Sequence, residues 1–410
     1  MSVVLDWINA AAARHPGRIA IEGPERSLTY TDLREAAAAR AARIGARRVA
    51  LALPPGEDFV IELHACLLAG AAAVPIDLRL SPAEQAARRT ALDGSAGEGS
   101  GLDVDVAVMH TSGTTAAPKP VVLSAGNFLA SALGSAVALG LDPAERWLCP
   151  MPLSHVGGLS IPIRSTIYAT TVVLHGRFDT EAVLGELMDP GRRITLVSLV
   201  PTMLARLLDA GLESPPTLRW ALLGGGPIAP ALLERADRAR VPVAPTYGMT
   251  EACSQIATFG WPLPGVDVRL GEDSEVLVRG PIVAAGAVSE DGWLHTGDLG
   301  RFDERARLEI VGRKADTIVS GGENVAPAEV EAVLLEHPAV ADAAVHPRSH
   351  PEWGEAVVAT VVLRDAAAAT PEELRAHCAA RLAGFKVPKA VEFAEELPRT
   401  TSGKLLRRQL

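Results

Sequence analysis

Hydroxyl-bearing residues and one lysine are concentrated in the stretch MHTSGTTAAPKP, residues 109–120. Residues 111–119 combine side-chain hydroxyls, backbone N–H groups around a glycine and one cation, which together can surround the oxygens of a phosphate. The spacing G-x-x-x-x-G-K-[ST] does not occur here, so a Walker loop of the usual kind is excluded. A hairpin rich in serine and threonine stays open as the alternative interpretation.

Two other segments carry carboxylates in settings that suit nucleotide chemistry. TYGMTEA, residues 246–252, follows an apolar run and offers the Thr250 hydroxyl and the Glu251 carboxylate, an oxygen ligand that suits Mg²⁺. HTGDLG, residues 295–300, is predicted to place Asp298 in a turn, where its carboxylate can accept hydrogen bonds from ribose hydroxyls. Solvated glutamates and turn-forming aspartates are common, so a purely structural role stays open for both.

Two cationic residues in the C-terminal quarter of the chain are candidates for functional roles. Arg313 stands at a proposed domain boundary, and Lys404 lies in PRTTSGKLLRRQL near the C-terminus. A lysine in a Thr/Ser/Gly loop of a small mobile domain is suited to bringing a point charge to a site and removing it again. A solvated basic tail that includes Arg407 and Arg408 is the alternative.

The elements that must position these segments follow from hydrophobic periodicity. Short apolar runs alternate with helical patterns through most of the chain, which predicts a parallel β/α architecture. Gly224, Gly225 and Gly226 lie where a predicted strand passes into a helix, which is where ligands collect in open α/β sheets. The pattern then changes to mixed helices and strands, which predicts a small α+β domain over residues 313–410 after a large domain over residues 1–312.

Composition narrows the functional classes. The chain has 410 residues and a net charge of −10, so a general attraction to nucleic acid or to an anionic membrane is not expected. Its four cysteines are far apart, which fits a reducing compartment and gives no zinc motif. No apolar run reaches the ~18 residues of a membrane span and the N-terminus does not resemble a signal peptide, so we expect a cytoplasmic protein without membrane insertion.

Seven motifs follow one another along the chain in the order TSGTTAAPK, PLSHVGG, GGGP, YGMTEA, TGDLG, GRKADTIVSGGENV and PRTTSGKLLRR. In sequence and in order they resemble the adenylate-forming superfamily of acyl-CoA synthetases, adenylation domains and luciferases. The resemblance extends from residue 27 to Lys404, nearly the whole chain. It implies an ATP-dependent ligase that adenylates a carboxylate, and a small C-terminal domain that rotates about a hinge at residues 313–316.

The same resemblance assigns residues to ATP and to Mg²⁺. The residues that would hold the phosphates of ATP are Thr111, Ser112, Gly113, Thr114, Thr115 and Lys119. The residues that would flank the adenine are Gly224, Gly225, Gly226, Thr246, Tyr247 and Gly248. The remaining contacts would be Asp298 and Arg313 with the ribose, Thr250 with the α-phosphate, and Glu251 with Mg²⁺.

The resemblance also assigns residues to the two steps of the reaction. Lys404 would bridge the attacking carboxylate and the α-phosphate during adenylation. After the domain rotation, Ser320, Gly321 and Gly322 would lie beside the channel for the pantetheine of CoA. The acyl group would then pass from the acyl-adenylate to CoA, and AMP would leave.

The acid is suggested by residues of the acyl pocket. His155 in PLSHVGGLS stands where acyl- and aryl-CoA ligases commonly have histidine, and no aspartate nearby could hold an α-amino group, which disfavours amino-acid activation. Two longer stretches, residues 149–179 and residues 222–258, are similar to the o-succinylbenzoate-CoA ligases of menaquinone biosynthesis. Arg164 is the candidate partner for the second carboxylate of that acid, with a surface helix arginine as the alternative, and Gly225 and Ser254 are further pocket candidates.

The chain departs from the pattern of the superfamily at several positions. Ala116 and Pro120 replace glycines of the phosphate loop, and Ala315 occupies the hinge position, where a polar residue is common. The altered phosphate loop leaves open a non-catalytic homologue that binds ATP or acyl-AMP. A ligase for another aryl or short acyl acid also stays open. A homodimer also stays open as the assembly.

Overall fold

The computed structural model describes residues 6–45, 47–93, 101–110, 119–399 and 405–410. The α-helices of these residues are α1 (Trp7–Arg14), α2 (Tyr30–Ala41), α3 (Glu57–Ala69), α4 (Pro82–Arg89), α5 (Ala125–Leu139), α6 (Val156–Tyr168), α7 (Thr180–Met188), α8 (Pro201–Asp209), α9 (Pro230–Arg238), α10 (Pro327–Leu335) and α11 (Pro371–Ala379). The strands are β1 (Ile19–Glu22), β2 (Ser27–Thr29), β3 (Arg48–Leu51), β4 (Ala72–Pro75), β5 (Asp105–His110), β6 (Pro120–Ser124), β7 (Arg146–Cys149), β8 (Thr171–Leu174), β9 (Leu196–Leu199), β10 (Trp220–Leu223), β11 (Val243–Met249), β12 (Ser254–Thr258), β13 (Trp261–Pro262), β14 (Asp267–Leu270), β15 (Glu275–Arg279), β16 (Leu294–Phe302), β17 (Leu308–Arg313), β18 (Ile318–Ser320), β19 (Glu323–Val325), β20 (Val340–His350), β21 (Gly354–Leu363) and β22 (Ala390–Phe393).

The largest sheet has nine strands in the order β13-β12-β11-β10-β9-β7-β8-β1-β2. Its central strands run parallel, from β11 through β10, β9, β7 and β8 to β1, and antiparallel strands complete both edges. Every residue of β8 and of β9 is buried, as expected for parallel strands that are covered on both faces. The predicted parallel β/α architecture is confirmed.

Three smaller sheets complete the fold. One has the order β3-β4-β5-β6, one has the order β14-β15-β16-β17, and the third has the order β19-β18-β21-β20 with β22 beside β21. In the third sheet α10 packs against β20 and α11 packs against β22. This third sheet and its two helices form the mixed α+β arrangement that the sequence predicts for the C-terminal quarter.

Local sequence signals account for many helix boundaries. A threonine or serine caps the N-terminus of α2, α4, α5 and α11 in a reciprocal capping box, with Thr29, Ser81, Ser124 and Thr370 as the caps. Helix α3 ends at Gly70, whose φ of 68° is left-handed, so a residue without a side chain closes the helix there.

The chain divides into two compact units. The first comprises Met1–Gly225, Ala236–Val268 and Val278–Leu294, and the second comprises Gly226–Arg235, Arg269–Leu277 and His295–Leu410. Each has its own apolar core, with Trp147 and Phe59 in the first and Ile318 and Val345 in the second. The boundary between residues 312 and 313 stays a prediction.

The prediction that Asp298 lies in a turn is wrong. Asp298 lies inside β16, directly opposite Arg313 of β17 in an antiparallel ladder. The glycines of HTGDLG suggested a turn, and Gly297 indeed has a positive φ of 68°. Pairing with β17 nevertheless keeps the segment in the sheet, because cross-strand hydrogen bonds outweigh a local turn preference.

Candidate active site

At the end of β10, in the first unit, the backbone of Gly224 lies very close to Thr246. A Cβ on Gly224 would lie 2.7 Å from Cγ2 of Thr246 and 3.0 Å from its carbonyl oxygen. Thr246 lies on β11, and its Oγ1 donates a hydrogen bond to the carbonyl of Ala257 at 2.9 Å. Gly225 follows with a φ of 79°. The structure therefore brings together the glycine turn and the Thr246 segment, both predicted to flank adenine, while Gly226 belongs to the second unit.

Gly248 permits a second close approach, between β11 and β12. A Cβ on Gly248 would lie 1.6 Å from the carbonyl oxygen of Ser254, so any side chain would displace the backbone. Between these strands the chain reverses through Cys253 and Ser254, whose φ values of 48° and 91° are unusual for residues with side chains. This strained reversal fixes the turn of Thr250–Ala252.

Glu251 lies in that turn and offers a carboxylate oxygen as a possible ligand for Mg²⁺. Its carbonyl oxygen accepts a hydrogen bond from the Ala284 N–H at 2.8 Å, which anchors the backbone. In the described part of the chain its partly buried carboxylate forms no ion pair, so an oxygen ligand of the type that Mg²⁺ prefers is available. Thr250 stands beside it at the start of the turn.

His155 stands at the N-terminus of α6 and contacts a polar pair that the sequence analysis missed. Its Nε2 lies 3.7 Å from Oδ2 of Asp77 and 3.5 Å from Nη2 of Arg79. Arg79 donates to both carboxylate oxygens of Asp77, at 2.9 and 2.6 Å. Burial raises the pKa of Asp77, but the hydrogen bonds and charge of Arg79 outweigh it and lower that pKa to about 2.

The imidazole of His155 is biased towards its neutral form. Burial lowers its pKa, the charge of Asp77 opposes this change, and the nearby Arg79 and Arg88 guanidinium groups lower the pKa further. A neutral ring can contact an acyl group without adding charge to the pocket. The sequence DLRL, residues 77–80, carried the only signal for this contact, an aspartate and an arginine two residues apart.

Arg164 is buried on α6, so the alternative of a surface arginine is wrong. The residue is 1% exposed, its Nη2 donates to Oγ of Ser131 at 2.8 Å, and its guanidinium lies 5.9 Å from the ring centre of Trp147. Ser131 in turn donates to the carbonyl of Cys253 at 2.7 Å. Arg164 is thereby connected to the loop that ends at Ser254, another predicted pocket residue.

The charge of Arg164 is not neutralised by its own surroundings. Among the described residues no carboxylate lies within ion-pair distance of its guanidinium, and its buried Nε has no hydrogen-bond partner. Burial lowers the pKa of this guanidinium, which the groups of Tyr168 and Cys253 oppose, yet arginine remains protonated in proteins. The sequence could not reveal Ser131 or Trp147 as its neighbours, because both lie on other elements.

The predicted ribose residues meet within the second unit. Arg313 Nε lies 2.9 Å from Oδ1 of Asp298, whose side chain is 7% exposed. The backbone N–H of Asp298 donates to Oγ1 of Thr296 at 3.1 Å, and that hydroxyl donates to the carbonyl of Val276 at 2.7 Å. Asp298 thus has a fixed backbone and a charged partner that orients its carboxylate.

The predicted CoA residues form the tight connection between β18 and β19. Ser320 pairs with Glu323 across this hairpin, and Gly321 and Gly322 have φ values of 61° and 86°. The Gly321 N–H donates to the carbonyl of Trp353 at 2.8 Å. The glycines therefore allow the chain to reverse tightly between the two strands.

The two segments with the strongest sequence signal, residues 111–118 and 400–404, lie outside the described residues. Thr111, Ser112, Gly113, Thr114, Thr115 and Lys404 belong to them. The flanking strands β5 and β6 are antiparallel, and His110 pairs with Pro120. Pro120 begins the edge strand β6, a position where the missing N–H is tolerated, and Lys119 directly precedes it.

This fold and these residues define a class of enzyme. The profile of the AMP-binding enzyme family matches residues 8–92 and 102–287, and that of the AMP-binding enzyme C-terminal domain matches residues 329–404. The chain belongs to the AMP-binding enzyme family. The superfamily resemblance of the motifs is therefore confirmed.

Particular relatives are similar over their full length. The chain is 37% identical to the 2-succinylbenzoate–CoA ligase of Bacillus licheniformis, over 99% of each chain. The structure of o-succinylbenzoate CoA synthetase from Bacillus subtilis with its acyl-adenylate intermediate OSB-AMP is 34% identical, with a TM-score of 0.88 over 98% of this chain and 97% of that one. The complex of the same synthetase with ATP and magnesium ion has a TM-score of 0.87, with 34% identity over 99% of both chains.

No helix in the ranges that the structure describes is long and apolar enough to cross a bilayer.

Proposed function

We propose that the chain is an ATP-dependent acid–thiol ligase that adenylates o-succinylbenzoate and transfers the acyl group to CoA, with release of pyrophosphate and AMP. Membership of the AMP-binding enzyme family supports the reaction. Full-length similarity to ligases named for this acid, and to a synthetase solved with ATP, magnesium and the acyl-adenylate, supports the substrates. The product would serve menaquinone biosynthesis.

The uncompensated charge of Arg164 is the structural observation that carries the choice of acid. Burying an ion costs several kcal/mol, on the order of 3–5 kcal/mol when its partner is missing. A second carboxylate on the substrate would supply that partner. Ser131 and Trp147 orient the guanidinium, and the link through Ser131 to the Cys253 carbonyl relates it to the Ser254 loop. A monocarboxylic acid would leave the charge unpaired.

In the first step an oxygen of the substrate carboxylate attacks the α-phosphorus of ATP, a mixed anhydride forms and pyrophosphate leaves. Both reactants are anionic, so catalysis depends on positioning and on cations that offset the developing charge. Lys404 would bridge the two reactants, and Thr250 would donate to the α-phosphate. Glu251 would hold Mg²⁺, which supplies further positive charge to the phosphates.

In the second step the sulfur of CoA attacks the acyl carbonyl carbon, the bond to the phosphate oxygen breaks and AMP leaves. The turn of Ser320, Gly321 and Gly322 would lie beside the pantetheine. Residues 313–316 would form the hinge, since Lys314–Asp316 is a short 3₁₀ turn between two strands. His155, with its neutral imidazole, would contact the acyl group in both steps.

Thioester formation from o-succinylbenzoate, ATP, Mg²⁺ and CoA tests this proposal. A panel with benzoate, short acyl acids and an analogue that lacks the second carboxylate should give kcat/KM values at least about tenfold lower, because a charged hydrogen-bonded contact contributes about 1.5–3 kcal/mol. Equal turnover of benzoate and o-succinylbenzoate would contradict the choice of acid. Failure to release pyrophosphate with every acid would favour the non-catalytic alternative.

A cytoplasmic location and a homodimer are part of the same proposal. The cysteines of the chain are free thiols, which fits a reducing compartment such as the cytoplasm. Leu133 and Val137, one helical turn apart on α5, are 55% and 68% exposed and give an apolar face on which a second copy could pack. Sedimentation of the purified protein at several concentrations would test the dimer, and a single monomeric species throughout would exclude it.

A further inference from the structure

Arg79 bridges an aspartate and a histidine at the start of α6. Its Nη2 donates to Oδ2 of Asp77 at 2.6 Å and lies 3.5 Å from Nε2 of His155. Its Nε and its backbone N–H donate to Oδ1 of Asp77, at 2.9 and 3.0 Å. Nε2 of His155 lies 3.7 Å from Asp77, which is too long for a hydrogen bond. The carboxylate is therefore held by Arg79 and not by the imidazole.

These contacts decide which nitrogen of His155 carries the proton. A guanidinium has only donors, so Nε2 can bond to Nη2 of Arg79 only as an acceptor, without a proton of its own. In a neutral imidazole the proton then lies on Nδ1. Among the described residues the contacts of the ring are made through Nε2, so Nδ1–H can donate to a ligand.

The charges around the ring favour its neutral form. Asp77 and Arg79 follow β4, Arg88 lies on α4, and the first turn of α6 carries no charged side chain. The positive N-terminal end of α6 disfavours an imidazolium. Burial lowers the pKa of His155, which Asp77 opposes and the two guanidinium groups support. Arg79 thus both neutralises Asp77 and adds positive charge beside Nε2.

The backbone of His155 is fixed, while its ring stays accessible. Its N–H donates to the carbonyl of Pro152 at 3.2 Å, and its own carbonyl accepts from the N–H groups of Gly158 and Leu159 at 3.0 and 2.9 Å. A Cβ on Gly158 would lie 2.2 Å from the Pro152 carbonyl oxygen, so the helix packs closely against the preceding loop. The side chain of His155 is 36% exposed, so a ligand can reach it.

We propose that Arg79 is a positioning residue that holds His155 as the neutral tautomer with its proton on Nδ1, so that the ring donates a hydrogen bond to an oxygen of the acid. This inference rests on the proposed function, in which His155 contacts the acyl group. Carbonyl and carboxylate oxygens are acceptors, so they need a protonated nitrogen opposite them. Without Arg79, the charge of Asp77 would draw the proton of the neutral ring to Nε2 and leave Nδ1 without one.

Nitrogen NMR of the full-length protein labelled at histidine tests the tautomer without turnover. The signals of His155 are identified by their loss in His155→Gln. In the wild type at neutral to alkaline pH, the proton should lie on Nδ1 and Nε2 should be unprotonated. Arg79→Met should place a proton on Nε2, where Asp77 can accept it. A proton on Nε2 in the wild type, or an unprotonated Nε2 in Arg79→Met, would overturn the proposal.

The pH dependence of acid binding tests the contact with the substrate. Above the pKa of the ring, Arg79→Met should raise the KM for o-succinylbenzoate about three- to tenfold over the wild type, because Nδ1 has lost its proton. Below that pKa the imidazolium carries a proton on both nitrogens, so the two KM values should agree within about twofold. A general loss of structure would raise the KM at every pH.

A second variant guards against misfolding around an unpaired carboxylate, and a third is a matched control. Asp77→Leu/Arg79→Met removes both charges together, so its KM ratio to the wild type should no longer change with pH. Arg279 donates to Oδ2 of Asp267 at 3.3 and 2.8 Å, at an exposed site of the same unit. Arg279→Met should keep the wild-type KM at each pH.

The outcomes separate this inference from the proposed function. A KM ratio of Arg79→Met to the wild type that is the same at acidic and alkaline pH would overturn the role of Arg79 in binding the acid. A wild-type protein that forms no thioester from o-succinylbenzoate would overturn the proposed function, while the NMR measurement would still decide the tautomer of His155.

Discussion

Arg164 shows how much the surroundings of one residue decide about its role. The same side chain on a surface helix would be solvated and uninformative, but here it is 1% exposed and its Nε has no partner. Its contact with Ser131 is a hydrogen bond to a neutral hydroxyl, which orients the guanidinium without neutralising it. At the residue scale, the choice of acid therefore depends on whether a ligand supplies the missing negative charge.

Replacing Arg164 with methionine tests this idea. Arg164→Met should raise the KM for o-succinylbenzoate about ten- to hundredfold, since a charged hydrogen bond contributes about 1.5–3 kcal/mol. It should leave the KM for an analogue without the second carboxylate nearly unchanged. The thermal midpoint should be kept, because the variant removes an unpaired buried charge. Ser131→Ala, which keeps the charge but loses its orientation, should show a smaller change of the same kind, and an unchanged KM ratio would remove Arg164 from the pocket.

In the proposed mechanism Lys404 acts in the first step, the adenylation of the acid. Lys404→Ala should lower the rate of adenylation by about a hundredfold or more, because the electrostatic stabilisation of a transition state is worth several kcal/mol. Thioester formation from supplied acyl-adenylate should change far less, and this reaction serves as the internal control. Equal losses in the two half-reactions would contradict the assigned role.

Among the secondary-structure elements, the β11–β12 hairpin positions Thr250 and Glu251 in the turn between its strands. It depends on Gly248, where the backbone of Ser254 approaches too closely for a side chain, and on positive φ values at Cys253 and Ser254. Helix α6 similarly carries two functional candidates, His155 at its N-terminus and the buried Arg164. Each element thus fixes the relative position of residues that the sequence alone gives only as motifs.

A methyl group at Gly248 should disturb this hairpin. Gly248→Ala would place a Cβ 1.6 Å from the Ser254 carbonyl oxygen, so the two strands must separate. We expect a loss of stability of about 1–3 kcal/mol, as for other overpacked sites, together with weaker ATP binding. Gly286→Ala is the matched control, since nothing lies within 4 Å of its added Cβ. Chemical denaturation and a nucleotide binding isotherm would check both effects, and equal behaviour of the two variants would contradict this explanation.

At the scale of the whole molecule, buried histidines couple stability to pH. His64 is 1% exposed on α3, and its Nε2 lies 3.1 Å from Oγ1 of Thr166. Burial lowers the pKa of His64 to about 4 from an ordinary value of 6.5. Between these values the unfolded chain binds a proton that the folded protein does not. The contribution of neutral His64 to the free energy of unfolding is therefore fully present above pH 6.5 and decreases as the pH falls.

The contribution of His64 can be isolated by substitution. From pH 7.5 to pH 4.5 the wild type should lose on the order of 2 kcal/mol more of its free energy of unfolding than His64→Gln. Thr166→Val is the control, since it removes the hydrogen bond but keeps the titrating imidazole, and it should retain the wild-type pH dependence. Parallel pH profiles for the wild type and His64→Gln would show that the imidazole is not responsible.

Local pattern was sufficient for much of this molecule. Alternating apolar runs predicted the parallel sheet because strands and helices impose different periods on their buried residues. The ordered motifs identified the class of enzyme because several independent motifs in one order leave little room for coincidence, and the family profiles agree. Even so, local pattern placed Asp298 in a turn, since the pairing of β16 with β17 involves residues 308–313, which lie outside HTGDLG.

Pattern along the chain was therefore enough to predict the α/β architecture, the family and the identities of the candidate residues. Which of the charged residues are buried, and what they contact, became known only from the folded arrangement. The sequence left a solvated surface position open for both Arg164 and Arg407, yet Arg164 is buried without a carboxylate partner among the described residues and Arg407 holds Glu331 and Asp316. The physical reason is that burial and ion pairing depend on neighbours brought together from distant parts of the chain, which spacing along the sequence does not encode.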